Sequence, residues 1–326
     1  MTTRRTVLGL VGAGILAPLA ALAQSARKML AVVLFPGDSD NDERLALPFF
    51  EEMQRLGWTE GTNITYERLS GRGARDYVEN LAKIAADLEP RLIFATTGTL
   101  ALAAVKATQS IPVIFMTAAD PVAAKLVASL QKPGSNATGT YQFRKDAVAR
   151  CMMLVREAFP HQKRIGAVFD RRGGGFEPQR AMYHEAARHA GLELAAVDFT
   201  NFEAIPKIFA NYKRDGIRTV VMTPSFTLVA NRIEAAKFAL RNNLALVGYR
   251  ADWAETGALL SYGTDSVESL KRSAGFANRI LKGARPADLP VEQVTKLELV
   301  VNMASAKTLG LTLPRPVLAR ANRVLE

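Results

Sequence analysis

Cysteine and histidine are nearly missing from this chain. Cys151 is the only cysteine, so no disulfide can form within it. With three histidines besides, a His/Cys metal site would need all four residues in one place and is not expected. His184 and His189, in HEAARH, look like a zinc motif but stand five residues apart. On a helix that spacing turns the second ring about 140° from the first, where metal-binding pairs need four residues. No nucleophile elbow or catalytic Cys/His pair is present. The run RRGGGF after a strand-like segment suggests phosphate, but it is neither G-x-G-x-x-G nor a Walker loop. Cys151 lies in ARCMMLVREAF, a helical apolar pattern, which reads as a packed thiol more readily than a nucleophile. Lys and Arg form no dense block, and beyond residue 22 no apolar run approaches the roughly 20 residues of a membrane span.

What is present suits a globular protein with a large core. The 326 residues are 48% hydrophobic and 22% charged. The start is different. Residues 1–23 hold Arg4 and Arg5, an apolar stretch and the small-residue site Ala21-Leu22-Ala23, the build of an export signal cleaved near Ala23. Thr3-Arg4-Arg5-Thr6-Val7-Leu8 resembles a twin-arginine signal with Val7 in place of the more usual Phe; an ordinary secretory signal is the alternative. No Cys follows the cleavage site, which argues against a lipid anchor there. Removing Arg4 and Arg5 takes the formal charge from +11 to +9. A basic surface attracts anions, but with its charges spread it also reads as a solvated face.

From Met29 onward, short β-rich runs alternate with helical stretches. MLAVVLF precedes a helix near 44–56, NITYERL a helix over 76–88, and RLIFA a helix over 100–108, before PVIFMTA. The second half repeats the order with RIGAVFD, LELAAVDF, RTVVMTP and LALVGYR, separated by helices near 177–190, 203–214 and 227–242. Such alternation builds parallel sheets flanked by helices, and two rounds of it predict two Rossmann-like α/β lobes.

Ligands of open parallel sheets bind beyond the carboxyl ends of the strands. Those ends supply the candidates. Thr97, Gly98 and Thr99 open a helix directly after a strand, so backbone N–H groups and two hydroxyls could hold an anion; a plain helix cap is the alternative. Asp120-Pro121 offers an acceptor for an amine or hydroxyl, or a helix cap with Pro in the first turn. Asp170, followed by Arg171 and Arg172, could reach a ligand amine. Ser225, Phe226, Tyr249, Trp253, Tyr262 and Gly263 lie at or near strand ends of the second half, where aromatics could sandwich a ligand.

Several segments together resemble a known family. LGWTEGTNITYE, TTGTLALAAVKATQSIPVIF, DPVAAKLVASLQKPGSNATG, GALLSYG, RILKGARPADLPVEQVTKLELVVNMASAKTLGLTLP and LARANRVLE are similar to ABC-transporter substrate-binding proteins of the tryptophan/tyrosine-binding type. The likeness spans nearly the whole chain after the export signal. It implies a type I periplasmic-binding-protein fold, with ligand held between two lobes and no catalysis. Three stretches depart from the pattern: Asp170-Arg171-Arg172-Gly173-Gly174-Gly175 replaces an Asn-Pro turn, Ala123-Ala124-Lys125 stands where glycines are frequent, and the loop 36–42 is unusually acidic. All three fall in pocket loops, so the ligand does not carry over.

The expectation is an exported, periplasmic solute-binding protein. It would capture a small molecule, an amino acid or related carboxylate, between lobes and hand it to an ABC permease. The alternative is a ligand-binding sensor or accessory protein uncoupled from transport. One lobe would comprise 27–142 with 264–290, the other 143–263 with 291–326. The chain would be monomeric, with no cofactor, metal, nucleic-acid partner or stable membrane insertion.

Overall fold

The computed structural model describes residues 28–326 apart from 38, 143 and 174, so the export-signal reading of residues 1–23 lies outside the described residues. The first half runs β1 (Met29–Phe35), α1 (Ser39–Arg55), β2 (Ile64–Ser70), α2 (Val78–Asp87), β3 (Leu92–Ala95), α3 (Gly98–Ala107), β4 (Val113–Thr117) and β5 (Ala137–Tyr141). The second runs α4 (Lys145–Ala158), β6 (Arg164–Asp170), α5 (Phe176–His189), β7 (Glu193–Phe199), α6 (Ile205–Arg214), β8 (Thr219–Met222), α7 (Phe226–Ala230), α8 (Arg232–Arg241), β9 (Ala245–Arg250), α9 (Ala251–Glu255) and β10 (Leu260–Thr264). The tail adds α10 (Ser266–Leu281), β11 (Glu292–Gln293), β12 (Leu297–Asn302), α11 (Met303–Leu309), α12 (Arg315–Ala319) and β13 (Arg323–Leu325).

Two sheets result, ordered β11-β5-β4-β3-β1-β2 and β13-β12-β10-β9-β8-β6-β7. Strands β3, β4 and β8 are buried along their whole length, the signature of a sheet covered on both faces. Edge strand β2 begins by alternating buried and exposed residues. The first sheet is parallel throughout. The second departs from the all-parallel expectation at one place, where β12 runs antiparallel to β10. The chain enters β12 from the opposite sheet, so no helical crossover sets its direction.

The chain passes between the sheets three times: between β5 and α4, between β10 and α10, and between β11 and β12. Helix α10 packs on α1, β4 and β5 of the first lobe, although it follows a strand of the second. The passages are tied together. Asp265 N donates to Lys296 O at 2.9 Å, Lys296 Nζ to Asp265 Oδ2 at 2.7 Å, and Arg144 Nη1 to Thr295 O at 2.6 Å.

Local chemistry corrects four details of the sequence reading. Helix α1 starts at Ser39 rather than near 44, because Asp40 and Asp42 sit in its first turn and complement the helix dipole. The helix expected over 227–242 breaks at Asn231, whose side chain donates to Thr227 O at 2.9 Å. No helix follows Asp120-Pro121; the segment is a turn closed by Ala124 N on Asp120 O at 2.9 Å. Trp253, a candidate ring for the site, is fully buried with Met222, Leu246 and Phe209. It lies against Gly248, where any side chain would overlap its indole.

Candidate functional site

The carboxyl-end loops of the two sheets face each other across a cavity of about 760 Å³. Thr97, Gly98, Thr99 and Asp120 line it from the first lobe, and Ser225, Phe226, Tyr249, Tyr262 and Gly263 from the second. Pro121 and Asp170 do not reach its lining.

On the first lobe, α3 begins at the cavity. Thr97 is its N-cap, in extended conformation, with its hydroxyl accepting from Leu100 N at 3.4 Å. Thr96 Oγ1 donates to Leu34 O at 2.8 Å and pins the loop to β1. A Cβ on Gly98 would come within 2.6 Å of Thr117 Oγ1, so glycine lets the helix start close on the end of β4. The Gly98 and Thr99 amides lie in the first turn, where N–H groups have no intrahelical acceptor. Gln142, just past β5, also lines the cavity. It is 7% exposed, and its Nε2 has no hydrogen-bond partner.

The second lobe has a matching helix start, α7 after β8, but this one is filled. Ser225 is the N-cap, accepting from Leu228 N at 3.2 Å. Its hydroxyl donates to Asp170 Oδ2 at 2.7 Å, and Thr227 Oγ1 donates to the same oxygen at 3.0 Å. Asp170 Oδ1 takes Arg172 N at 2.9 Å. Asp170 is therefore buried and satisfied within its own lobe. Behind it, Gly173 N donates to Asp170 O at 3.0 Å and closes a turn.

Apolar and aromatic groups fill in the walls: Leu102, Met116, Val148, Met182, Phe226, Tyr249 and Tyr262. Burial pushes the Tyr249 phenol up to about 12, so it stays a neutral donor at physiological pH. Cys151 also borders the cavity; burial pushes its thiol up to about 12, too high for a nucleophile. Gly263 meets a need of the strand: β10 shifts register against β9 here, and a side chain would overlap the Tyr249 carbonyl. Asp120 is exposed, and its Oδ1 accepts from Val122 N at 2.9 Å and Ala123 N at 3.2 Å.

Residues that sequence reasoning passed over join the lobes. Arg232 on α8 donates to Asp42 on α1 at 2.7 Å, with both side chains almost fully buried. Asp42 also accepts from Gly37 N at 2.8 Å. Arg232 lies 3.7 Å from Asp252, which Arg250 grips with two hydrogen bonds. Burial raises the Asp42 pKa, against the pull of Arg232. Burial also acts to raise Asp252, but Arg250 and Arg232 outweigh it and hold that carboxyl below the usual range. A second set of contacts also joins the lobes: Arg172 pairs with Asp76, and Arg75 Nη2 donates to the Arg172 carbonyl at 2.5 Å. Two charged partners nearly 200 residues apart leave no local pattern. The acidic loop after β1 and Arg75, which follows the Gly71-Arg72-Gly73 run after β2, were the available signals.

Two helix-flanked sheets with a lined cavity between their carboxyl edges define a two-lobed binding protein. The model of the ABC transporter substrate binding protein family matches residues 42–325, and the chain belongs to that family. A tyrosine-binding protein of Clostridioides difficile is 25% identical over 265 residues, covering 81% of this chain and 75% of that protein. Among solved structures, an ABC domain in complex with L-Trp from Streptococcus pneumoniae superposes with a TM-score of 0.81 at 21% identity, covering 91% of this chain and 100% of that one. The ligand-free, open structure of a substrate binding protein with adhesive properties from Clostridium difficile gives 0.63 at 23%, covering 91% and 99%. Among the described residues, no helix is long and apolar enough to cross a membrane.

Proposed function

We propose that this protein is a periplasmic receptor that captures an amino acid or related carboxylate between its lobes, without turnover, and delivers it to an ABC permease. The observation that carries the carboxylate is a contrast between the two helix starts. In the second lobe, the Asp170 carboxylate already sits on the Ser225 and Thr227 hydroxyls. In the first, the Gly98 and Thr99 amides open onto the cavity beside the unpartnered Gln142 amide. Anions are favoured at a helix N-terminus, and charge-assisted bonds to N–H groups are the stronger kind. Tyr249, Tyr262 and Phe226 provide the surface for the ligand's body. Family membership supports the transport role, and the tyrosine-binding relative and the L-Trp complex support a ligand of amino-acid size.

Titration calorimetry of the purified protein against amino acids, carboxylates, nucleobases and sugars tests this. Carboxylates are expected to bind, and Gln142→Leu to weaken them about tenfold, the weight of one hydrogen bond to a charged group. Binding confined to sugars or bases would sink the carboxylate assignment.

A further inference from the structure

The cavity also carries information about ligand charge. Its edge farthest from the three lobe crossings lies at the end of β2, the edge strand of one lobe, and of β6, next to edge strand β7 of the other. There Arg75, in the turn before α2, lines the cavity and reaches across to the Arg172 carbonyl. Its Nη1 is buried with no hydrogen-bond partner, and among the described residues its guanidinium forms no ion pair. The other lining arginines are different: Arg144 is paired with Asp146, and Arg250 with Asp252. Helices α2 and α3 pack side by side, so Arg75 and the Gly98–Thr99 amides open onto neighbouring parts of the cleft.

Counter-charges for an ammonium are scarce. Asp170 is consumed by Ser225, Thr227 and the Arg172 amide. Asp120 and Glu185 line the cavity but are solvent-exposed, and Asp120 already receives two amides. A buried ammonium without a carboxylate partner is costly, whereas a carboxylate entering here would supply the acceptor that Arg75 Nη1 lacks. Burial works against the Arg75 charge, which lowers its pKa, and a bound anion would offset that penalty.

We infer that the ligand is an organic anion without an ammonium group, a carboxylate on an apolar body, recognised by the unpaired Arg75 guanidinium beside the α3 helix start. This rests on the carboxylate reading above and narrows it. Because Arg75 also holds the Arg172 carbonyl, the same contact joins anion binding to the meeting of the lobes at the mouth.

Matched pairs test it: 3-phenylpropanoate against L-phenylalanine, and 4-methylpentanoate against L-leucine, titrated calorimetrically into the purified protein. The member without an amine is expected to bind at least about tenfold tighter, the weight of one bond to a charged group. Arg75→Gln should remove most of that preference, and Arg75→Lys should restore part of it. Affinity for the neutral 3-phenylpropanamide should fall far less than that for the acid between wild type and Arg75→Gln, which separates charge recognition from a merely structural loss at the mouth. Equal or tighter binding of the amino acids would overturn the inference while leaving the carboxylate site standing. So would an equal loss for acid and amide in Arg75→Gln. Failure of every carboxylate and amino acid to bind would overturn both readings.

Discussion

The Asp42–Arg232 pair makes a quantitative prediction. The Arg232 side chain is 4% exposed and Asp42 6%, and the bond between them spans the two lobes. Arg232→Met removes the guanidinium and leaves the Asp42 carboxylate buried with the Gly37 amide. Breaking a buried pair from one side costs about 3–5 kcal/mol, because the surviving charge is uncompensated. At about 2 °C per kcal/mol, the lower end for large domains, the melting temperature should fall by roughly 6–10 °C. Asp42→Leu combined with Arg232→Met removes both charges and should recover most of the loss, as replacement of a whole buried pair often does. The Gly37 amide then loses its acceptor, so recovery stops about 1–3 kcal/mol short. The sign with pH follows from Asp42. Its folded pKa is raised, so its own contribution favours the folded state below the usual carboxylate pKa and is lost as pH rises through the raised value. The defect of Arg232→Met should therefore shrink as pH falls toward 4 and protonation removes the stranded charge. Differential scanning calorimetry from pH 4 to 8 reads all of this. A single variant within 1 °C of wild type, or a double variant less stable than the single, would refute the reasoning.

Other outcomes follow from the same geometry. Gly98→Ala forces a Cβ to 2.6 Å from Thr117 Oγ1 and should displace the α3 start; ligand affinity by calorimetry should drop more than the melting temperature. Asp170→Ala strips the acceptor from two buried hydroxyls, and urea titration should show a loss of about 2–6 kcal/mol, each orphaned group costing about 1–3. Asp265 caps α10 and binds Lys296; burial tends to raise its pKa, but Lys296 and the Val267 and Glu268 amides hold it low. Its stabilisation is present above the usual carboxylate pKa and is lost as pH falls through the depressed value. The melting difference between wild type and Asp265→Ala should accordingly be present at pH 6 and shrink toward pH 3.

The α3 helix start was legible in the sequence because everything that makes it is local: an apolar strand, a hydroxyl cap, a glycine and a run of helix formers within 17 residues. The sheet-edge rule then placed Ser225, Tyr249 and Tyr262 on the facing side. Long-range pairing was not legible. Asp170 read as open to a ligand because its partners, Ser225 and Thr227, lie 55 and 57 positions away. Trp253 follows a strand as a site aromatic would, and only Gly248 beneath it marks the ring as core. Asp42 read as loop acidity, since Arg232 arrives 190 residues later. Arg75 and Gln142 were missed because an arginine or glutamine near a loop ordinarily faces water. What distinguishes these two is the atoms left without partners in the folded chain.

The placement of α10 governs the order in which the molecule can be completed. Phe276, Leu270 and Ala277 share a core with Phe49, Met53 and Phe94, which are translated more than 170 residues earlier. A chain emerging from the ribosome can assemble β1 to β5, but this face stays uncovered until residue 281 has been made. The second lobe's first five strands are by then already out. The half of the protein synthesised first is thus among the last to close, and a truncation before α10 would leave an apolar face open to chaperones or aggregation.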